Sequence, residues 1–246
     1  MKIYNLSSGS KGNVSLVVCG SYKILIDAGT TKKYLVSSLN EIGYTLEDID
    51  LVLVTHYHSD HAKALNAFKT NKIMSNKEED MHCLLKVNEL NQYDKVCIRP
   101  FLLSHDSLCY GYQIKYNDET LTYITDTGYV KKVYETYISE ADYLYLEFNH
   151  DIVKLNQTSR PPYLKQRILS DLGHMNNHDA ALIVCKSASS KLKQLIVAHI
   201  SDEANTVELI QNEIENVYSA FKKDINFDIF YTAHETIVKA GSSNED

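Results

Sequence analysis

Residues 55–61 read Thr-His-Tyr-His-Ser-Asp-His, so His56, His58, Asp60 and His61 fall within six positions. The β-rich run IDLVLVT (49–55) stops at this cluster, and AKALNAFK (62–69), with helical spacing, is expected to form a helix after it. The polar residues therefore sit at a strand-to-helix junction. Imidazole nitrogen and carboxylate oxygen together suit zinc, manganese or iron. A lone histidine at such a turn is ordinarily a surface residue near a helix dipole. Three of them beside an aspartate point to a metal.

One short loop does not close two coordination shells, so further ligands are expected from other strand ends. Three apolar runs each finish on one candidate: LLSHDS (102–107) on His105, TYITDTG (122–128) on Asp126 and LIVAHIS (195–201) on His199. Single ligands at several strand ends are the pattern of a site on a sheet edge.

The rest of the chain supplies the sheets. KIYNL (2–6), VSLVVCG (14–20) and YKILIDAG (22–29) read as strands, and TTKKYLVSSLNEIG (30–43) reads as a helix with a glycine stop. Further strands are expected at 95–104, 108–116, 120–126, 141–149, 194–200 and 227–233, and helices at 131–138, 177–189 and 203–221. NQTSRPPYLKQR (156–167) is proline-punctuated and too short to part domains. Two runs of strands separated by helices suit a layered α/β protein, with residues 1–246 as a single domain.

Composition excludes more than it selects. With 246 residues and 44% hydrophobic content the chain can fill a substantial core, and a net charge of −7 argues against coating nucleic acid by bulk charge. Five scattered cysteines (Cys19, Cys83, Cys97, Cys109 and Cys185) make no Cys-x-x-Cys pair and suit a reducing cytoplasm, the expected location. No window reaches the roughly 20 apolar residues that span a bilayer. SSGSKGN (7–13) is not a P-loop, although its glycines allow backbone amides to converge on an anion.

His-x-His-x-Asp-His at 56–61, with His105, Asp126 and His199, resembles the metallo-β-lactamase superfamily over nearly the whole chain. The resemblance implies an αββα sandwich with two divalent metal ions, Zn2+ or Mn2+, on its edge. It would put His56, His58 and His105 on one ion, Asp60, His61 and His199 on the other, and Asp126 between them. SSGSKGN, ILIDAG, THYHSDH, TDTG, LEFNHD, GHMNNHDAA and HISDEAN resemble the YycJ (WalJ-like) branch of bacterial single-domain nucleases, associated with 5′-exonuclease action on DNA. They resemble tRNA 3′-processing endonucleases more distantly. Val14, Phe148, Asn176 and Ala204 depart from the branch's pattern, three of them in motifs expected to approach the nucleic acid or the leaving group, which bears on substrate preference.

The implied activity is a metal-dependent phosphodiesterase, a 5′-to-3′ DNA exonuclease with a bridging hydroxide as nucleophile that Asp60 orients. Alternatives are a metallohydrolase of a small ester, lactone or thioester, an RNA-processing nuclease, or a non-catalytic metal-binding domain. Glu147 and His174 match positions that cooperate in protonating the leaving group in the processing endonucleases. A carboxylate beside histidine favours the protonated ring of a general acid. His150 and His178 are weaker candidates, while His82 and His234 read as surface or structural. Substrate grip is expected from Ser8, Gly9, Lys11, Arg160, Lys165 and Arg167, with amides from Ser8 to Gly12 lining the approach. KSASSKLKQ (186–194) reads as a solvated face, and most of the 18 tyrosines as sheet residues.

Overall fold

Alternate side chains of the apolar strands feed different cores, and that alternation sets the layers. The structure is a computed structural model that describes residues 1–69, 72–74, 86–93 and 95–242. His82 and Cys83 lie outside the described residues. The strands, in chain order, are β1 Lys2–Ser7, β2 Val14–Cys19, β3 Tyr22–Ile26, β4 Leu51–Leu53, β5 Ile73–Met74, β6 Asn91–Tyr93, β7 Val96–Leu102, β8 Tyr110–Tyr116, β9 Glu119–Ile124, β10 Tyr143–Glu147, β11 Gln194–Ala198, β12 Asp228–Tyr231 and β13 Val238–Gly241. The helices are α1 Lys32–Glu41, α2 Ser59–Ala62, α3 Glu135–Ser139, α4 Ile152–Gln157, α5 Pro162–Leu169, α6 Asn177–Ser187 and α7 Val207–Ala220.

Among the described residues these strands form a six-stranded sheet, β13-β1-β2-β3-β4-β5, and a seven-stranded sheet, β12-β11-β10-β9-β8-β7-β6. Ile24 and Ile26 of β3 and Tyr143 and Tyr145 of β10 point into the core between the sheets. Leu25, one residue out of phase, packs outward with Leu35 and Leu39 of α1. Leu144 and Leu146 likewise pack outward with Ile138 of α3, Val184 of α6 and Ile214 of α7. The period-two alternation of a strand thus serves two cores at once. The result is the expected αββα sandwich.

Helix starts follow local chemistry. Thr31, Asp151, Asn176 and Thr206 each accept, through a side-chain oxygen, a backbone N–H from the first turn of α1, α4, α6 and α7. The segment read as a helix at 62–69 differs: α2 ends at Ala62, and Leu65–Ala67 is a single 3-10 turn. Ala64 N–H donates instead to Ala28 O at 2.8 Å, which ties the segment to the end of β3. Conversely, 156–167 is more ordered than its prolines imply, because Pro162 opens α5 where its missing N–H costs nothing. Strands β6 and β13 carry weak sequence signals and form as edge pairings. No helix among the described residues is long and apolar enough to cross a membrane.

The sheet topology decides where chemistry can collect. β9, β10, β11 and β12 run parallel, as do β3 and β4, so their carboxyl ends lie along one edge of the sandwich. Asp27, His56, Asp126, Glu147 and His199 all stand at or just beyond those ends.

Candidate metal centre

The His56–His61 turn and three other strand ends converge. His58 Nδ1 stands 3.0 Å from His56 Nε2 and 3.4 Å from His105 Nε2. Beside this trio, Asp126 Oδ2 is 3.1 Å and Asp60 Oδ2 3.5 Å from His61 Nε2, while His199 Nε2 is 3.4 Å from Asp126 Oδ1 and 3.8 Å from Asp60 Oδ2. Tetrahedral ligands about 2.0–2.1 Å from an ion stand roughly 3.3–3.4 Å apart. The donor separations therefore match what such an ion requires. His56, His58 and His105 form one group able to hold a metal, and Asp60, His61 and His199 another. Asp126 reaches both sides, grouping with His56 and His61 and with Glu147, His174 and His199.

Two further observations fit a cation. His199 Nε2 is buried with no hydrogen-bond partner, as expected of a nitrogen reserved for coordination. Asp27, Asp60, Asp126 and Glu147 also concentrate negative charge around it. Burial opposes a charged His199 ring, yet Asp126, Asp60 and Glu147 push its pKa up to about 10. Burial opposes ionisation of Asp126 too, but His199 and His61 hold it well below the usual carboxylate range. Carboxylates that favour an imidazolium so strongly favour a divalent ion for the same Coulombic reason. On the other side, burial and the His61 ring push His56 down to about 2, and burial lowers His105, so both rings are neutral and able to ligate.

The surroundings fix these donors. Asp27 Oδ2 accepts from His61 Nδ1 at 2.7 Å and from the Thr55 hydroxyl at 2.8 Å, and Asp27 Oδ1 accepts from Thr55 N–H at 2.8 Å. That carboxylate turns His61 Nε2 toward the centre, the usual service of a partner behind a metal-binding histidine. Asp27, Asp126 and His199 have φ of 60°, 53° and 52°, a left-handed backbone that costs a residue with a Cβ about 1–3 kcal/mol each. Such strain persists only where neighbours over-determine it. His199 N–H donates to Ser8 Oγ at 2.8 Å, and the Asn149 amide donates to His199 O at 2.9 Å.

His174 Nδ1 lies 2.7 Å from Glu147 Oε1, which is also 3.1 Å from His199 Nδ1, while Glu147 Oε2 accepts from Thr127 N–H at 3.0 Å. Burial disfavours the Glu147 anion, but His174 and His199 hold its pKa below the ordinary carboxylate value. An ionised Glu147 accepts, so Nδ1 of His174 carries the hydrogen and its Nε2 is left for substrate. A cavity of about 130 Å³ opens over this pair, lined by Ser10, His105, His174 and His199 and by Arg160 and Arg167 from the α5 side.

Other expected residues lie elsewhere. Ser8 is buried, accepting from His199 N–H and from the Tyr145 hydroxyl at 3.3 Å, so it supports the floor instead of lining the approach. Three of the expected anion-binding amides are spent within the chain, Ser8 N–H on Ala233 O, Gly9 N–H on Asn13 Oδ1 and Gly12 N–H on Gly9 O, while Ser10 of the same loop lines the cavity. Gly9 itself is needed for its φ of 121°. Lys165 Nζ donates to Asn156 O and Thr158 O, both at 2.7 Å, and so braces α5 against the end of α4 away from the cavity lining. Lys11 is exposed and paired with Asp202 at 2.8 Å. His178 is exposed on Glu213, His234 contacts Ser7, and His150 is buried without a partner on either ring nitrogen. Val14, Phe148 and Ala204 are buried and Asn176 caps α6, so these four departures do not line the cavity.

Residues that the sequence reading passed over complete the centre. Asp27 ends an apolar strand, the signal used for Asp126, and was legible in ILIDAG. Asn13 N–H donates to Asp60 O at 2.8 Å, and the Asn13 amide sits 3.0 Å from His61 Nε2. The SSGSKGN loop thereby holds the His56–His61 turn. Gly29 permits the same contact, since a Cβ there would meet Asp60 O at 1.6 Å.

Comparison with known proteins gives the family. Residues 8–86 match the model of the metallo-beta-lactamase superfamily. Exodeoxyribonuclease WalJ of Streptococcus pneumoniae is 30% identical over 252 aligned residues, covering 94% of each chain. The chain belongs to the metallo-β-lactamase superfamily, in its WalJ/YycJ-like branch. Exodeoxyribonuclease YycJ of Bacillus anthracis is 31% identical over 229 residues, covering 86% of this chain and 87% of that one. Among solved structures, the superfamily fold of YhfI from Bacillus subtilis superimposes with a TM-score of 0.73 at 17% identity, covering 97% and 99% of the two chains. Human tRNase Z, short form, gives 0.66 at 12% identity, covering 97% and 98%. As a superfamily member the chain is a metal-dependent hydrolase.

Proposed function

We propose that this hydrolase is a DNA exonuclease that removes nucleotides from a 5′ end with two divalent ions, zinc or manganese. The observation that carries the reading is the His174–Glu147 pair at 2.7 Å, facing a cavity that two arginines also line. Metal ions, when bound by His56, His58, His105, Asp60, His61, His199 and Asp126, supply the Lewis acidity that ionises water and neutralises charge at phosphorus. The chain's own residues do the rest.

Asp60 is positioned to orient the attacking water. The water loses a proton to solvent as it ionises, its oxygen forms a bond to phosphorus, and the bond from phosphorus to the departing nucleoside oxygen breaks. The electron pair left on that oxygen takes a proton from His174 Nε2, and Glu147 stabilises the ring through Nδ1. Arg160 and Arg167 are suited to the non-bridging phosphate oxygens. Action on DNA is supported by the names of the relatives, and 5′ polarity by resemblance to their branch.

The test is an assay with DNA labelled at either end, alongside RNA and a panel of small esters, lactones and thioesters. Early release of a 5′ label is expected, with little turnover of the small esters. His174→Ala should lower turnover by about 10²–10⁴-fold with metal content retained. Full turnover in that variant would remove the acid assignment, and preferred thioester or lactone hydrolysis would overturn the nuclease reading.

A further inference from the structure

Two cations, Arg160 and Arg167, line the cavity, a third, Lys11, follows the lining residue Ser10, and each is held by a carboxylate. Lys11 Nζ pairs with Asp202 Oδ2 at 2.8 Å, Arg160 Nε with Glu203 Oε2 at 2.9 Å, and the Arg167 guanidinium with Asp106 Oδ2. The acids come from the candidate metal-ligand loops: Asp106 follows His105 directly, and Asp202 and Glu203 follow His199 within the same turn. The cations come from the other wall, the SSGSKGN loop and the α4–α5 cover. The two arginine pairs therefore join the candidate metal-ligand loops to the α4–α5 cover, and the lysine pair joins two of the loops beneath it.

We propose that these acids form a latch: Asp202, Glu203 and Asp106 occupy the cations until the phosphates of a nucleic-acid strand exchange for them. This deepens the nuclease reading above and rests on it. An exposed ion pair such as Lys11–Asp202 is worth only about 0.2–1 kcal/mol, so a phosphate displaces that carboxylate at small cost. Asp202 and Glu203 keep 55% and 60% of their side-chain surface exposed, so they have room to swing away. The Arg160–Arg167 segment does not have to move, because Lys165 braces α5. A lone anion gains one exchange, whereas a strand gains several, each after the first being intramolecular. The latch thus weakens anion binding at the mouth until a strand makes several linked exchanges.

The experiment compares the metal-loaded protein with Asp202→Asn/Glu203→Gln, using fluorescence anisotropy of a short labelled DNA across salt concentrations. Inorganic phosphate serves as the competing small anion and Glu47→Gln as a remote charge control. The double variant should bind DNA about threefold to tenfold more tightly at low salt, converging with wild type at high salt. Its affinity for inorganic phosphate should rise by less, because a lone anion makes only one exchange. Asp202→Asn alone should give part of the gain, which guards against misfolding of the double variant. Unchanged or weaker DNA binding, or a gain equalled by Glu47→Gln, overturns the latch while leaving the nuclease reading intact. If neither protein binds DNA, the nuclease reading falls and the latch with it.

Discussion

At Asp126 and His199 the side chains are buried, the backbone is left-handed, and hydrogen bonds hold them: Thr125 donates to Asp126, Asn149 donates to His199 O, and Ser8 accepts from His199 N–H. Three and four residues further on, Asp202 and Glu203 are exposed and make pairs with long, flexible side chains. The same loop thus passes from a rigid metal floor to an adjustable rim. Low dielectric and strain make the floor intolerant of change, since an unpaired buried group costs its full desolvation. Water and salt make the rim forgiving.

That contrast can be broken most severely at the floor. Asp126→Asn should reduce bound metal, measured by elemental analysis, and lower activity by more than about a hundredfold, because even the partner behind a ligand typically costs 10–100-fold. Asp27→Asn removes only such a partner, so metal affinity measured against a competing chelator should fall by about 10–100-fold. Retained affinity would show that His61 needs no orienting carboxylate. Ser8→Ala leaves the buried His199 N–H without its acceptor and should cost about 1–3 kcal/mol in denaturant stability, together with some metal affinity. An unchanged midpoint would move Ser8 back to the rim. Lys11→Ala marks the other extreme: metal content should stay the same, and KM for DNA should shift no more than about fivefold, more at low salt than at high.

The convergence of the candidate ligands was legible because His105, Asp126 and His199 each end an apolar run, and a strand delivers its next residue to the sheet edge. His56, His58, Asp60 and His61 were further marked by their density in one turn. The rim was less legible. Ser8 and Lys11 are three residues apart in one loop, yet one faces inward beneath His199 and the other outward toward Asp202. Lys165 and Arg167 lie on one short helix, yet they face α4 and Asp106 respectively. Nothing local separates those fates, because Gly, Ser and Lys in a turn carry no periodic burial signal.

What the sequence by itself determined is the alternation that builds four layers and the placing of imidazole and carboxylate groups at strand ends. Both follow from backbone period and side-chain chemistry, which are local. The tertiary structure decided which strand ends meet, that Asp27 and not a more obvious ligand steers His61, and that Asn13 holds the Asp60 turn across 47 residues of chain. It also decided that each cation at the mouth already has an acidic partner. Those contacts depend on where two sheets pack, and packing geometry is not written in any single stretch of residues.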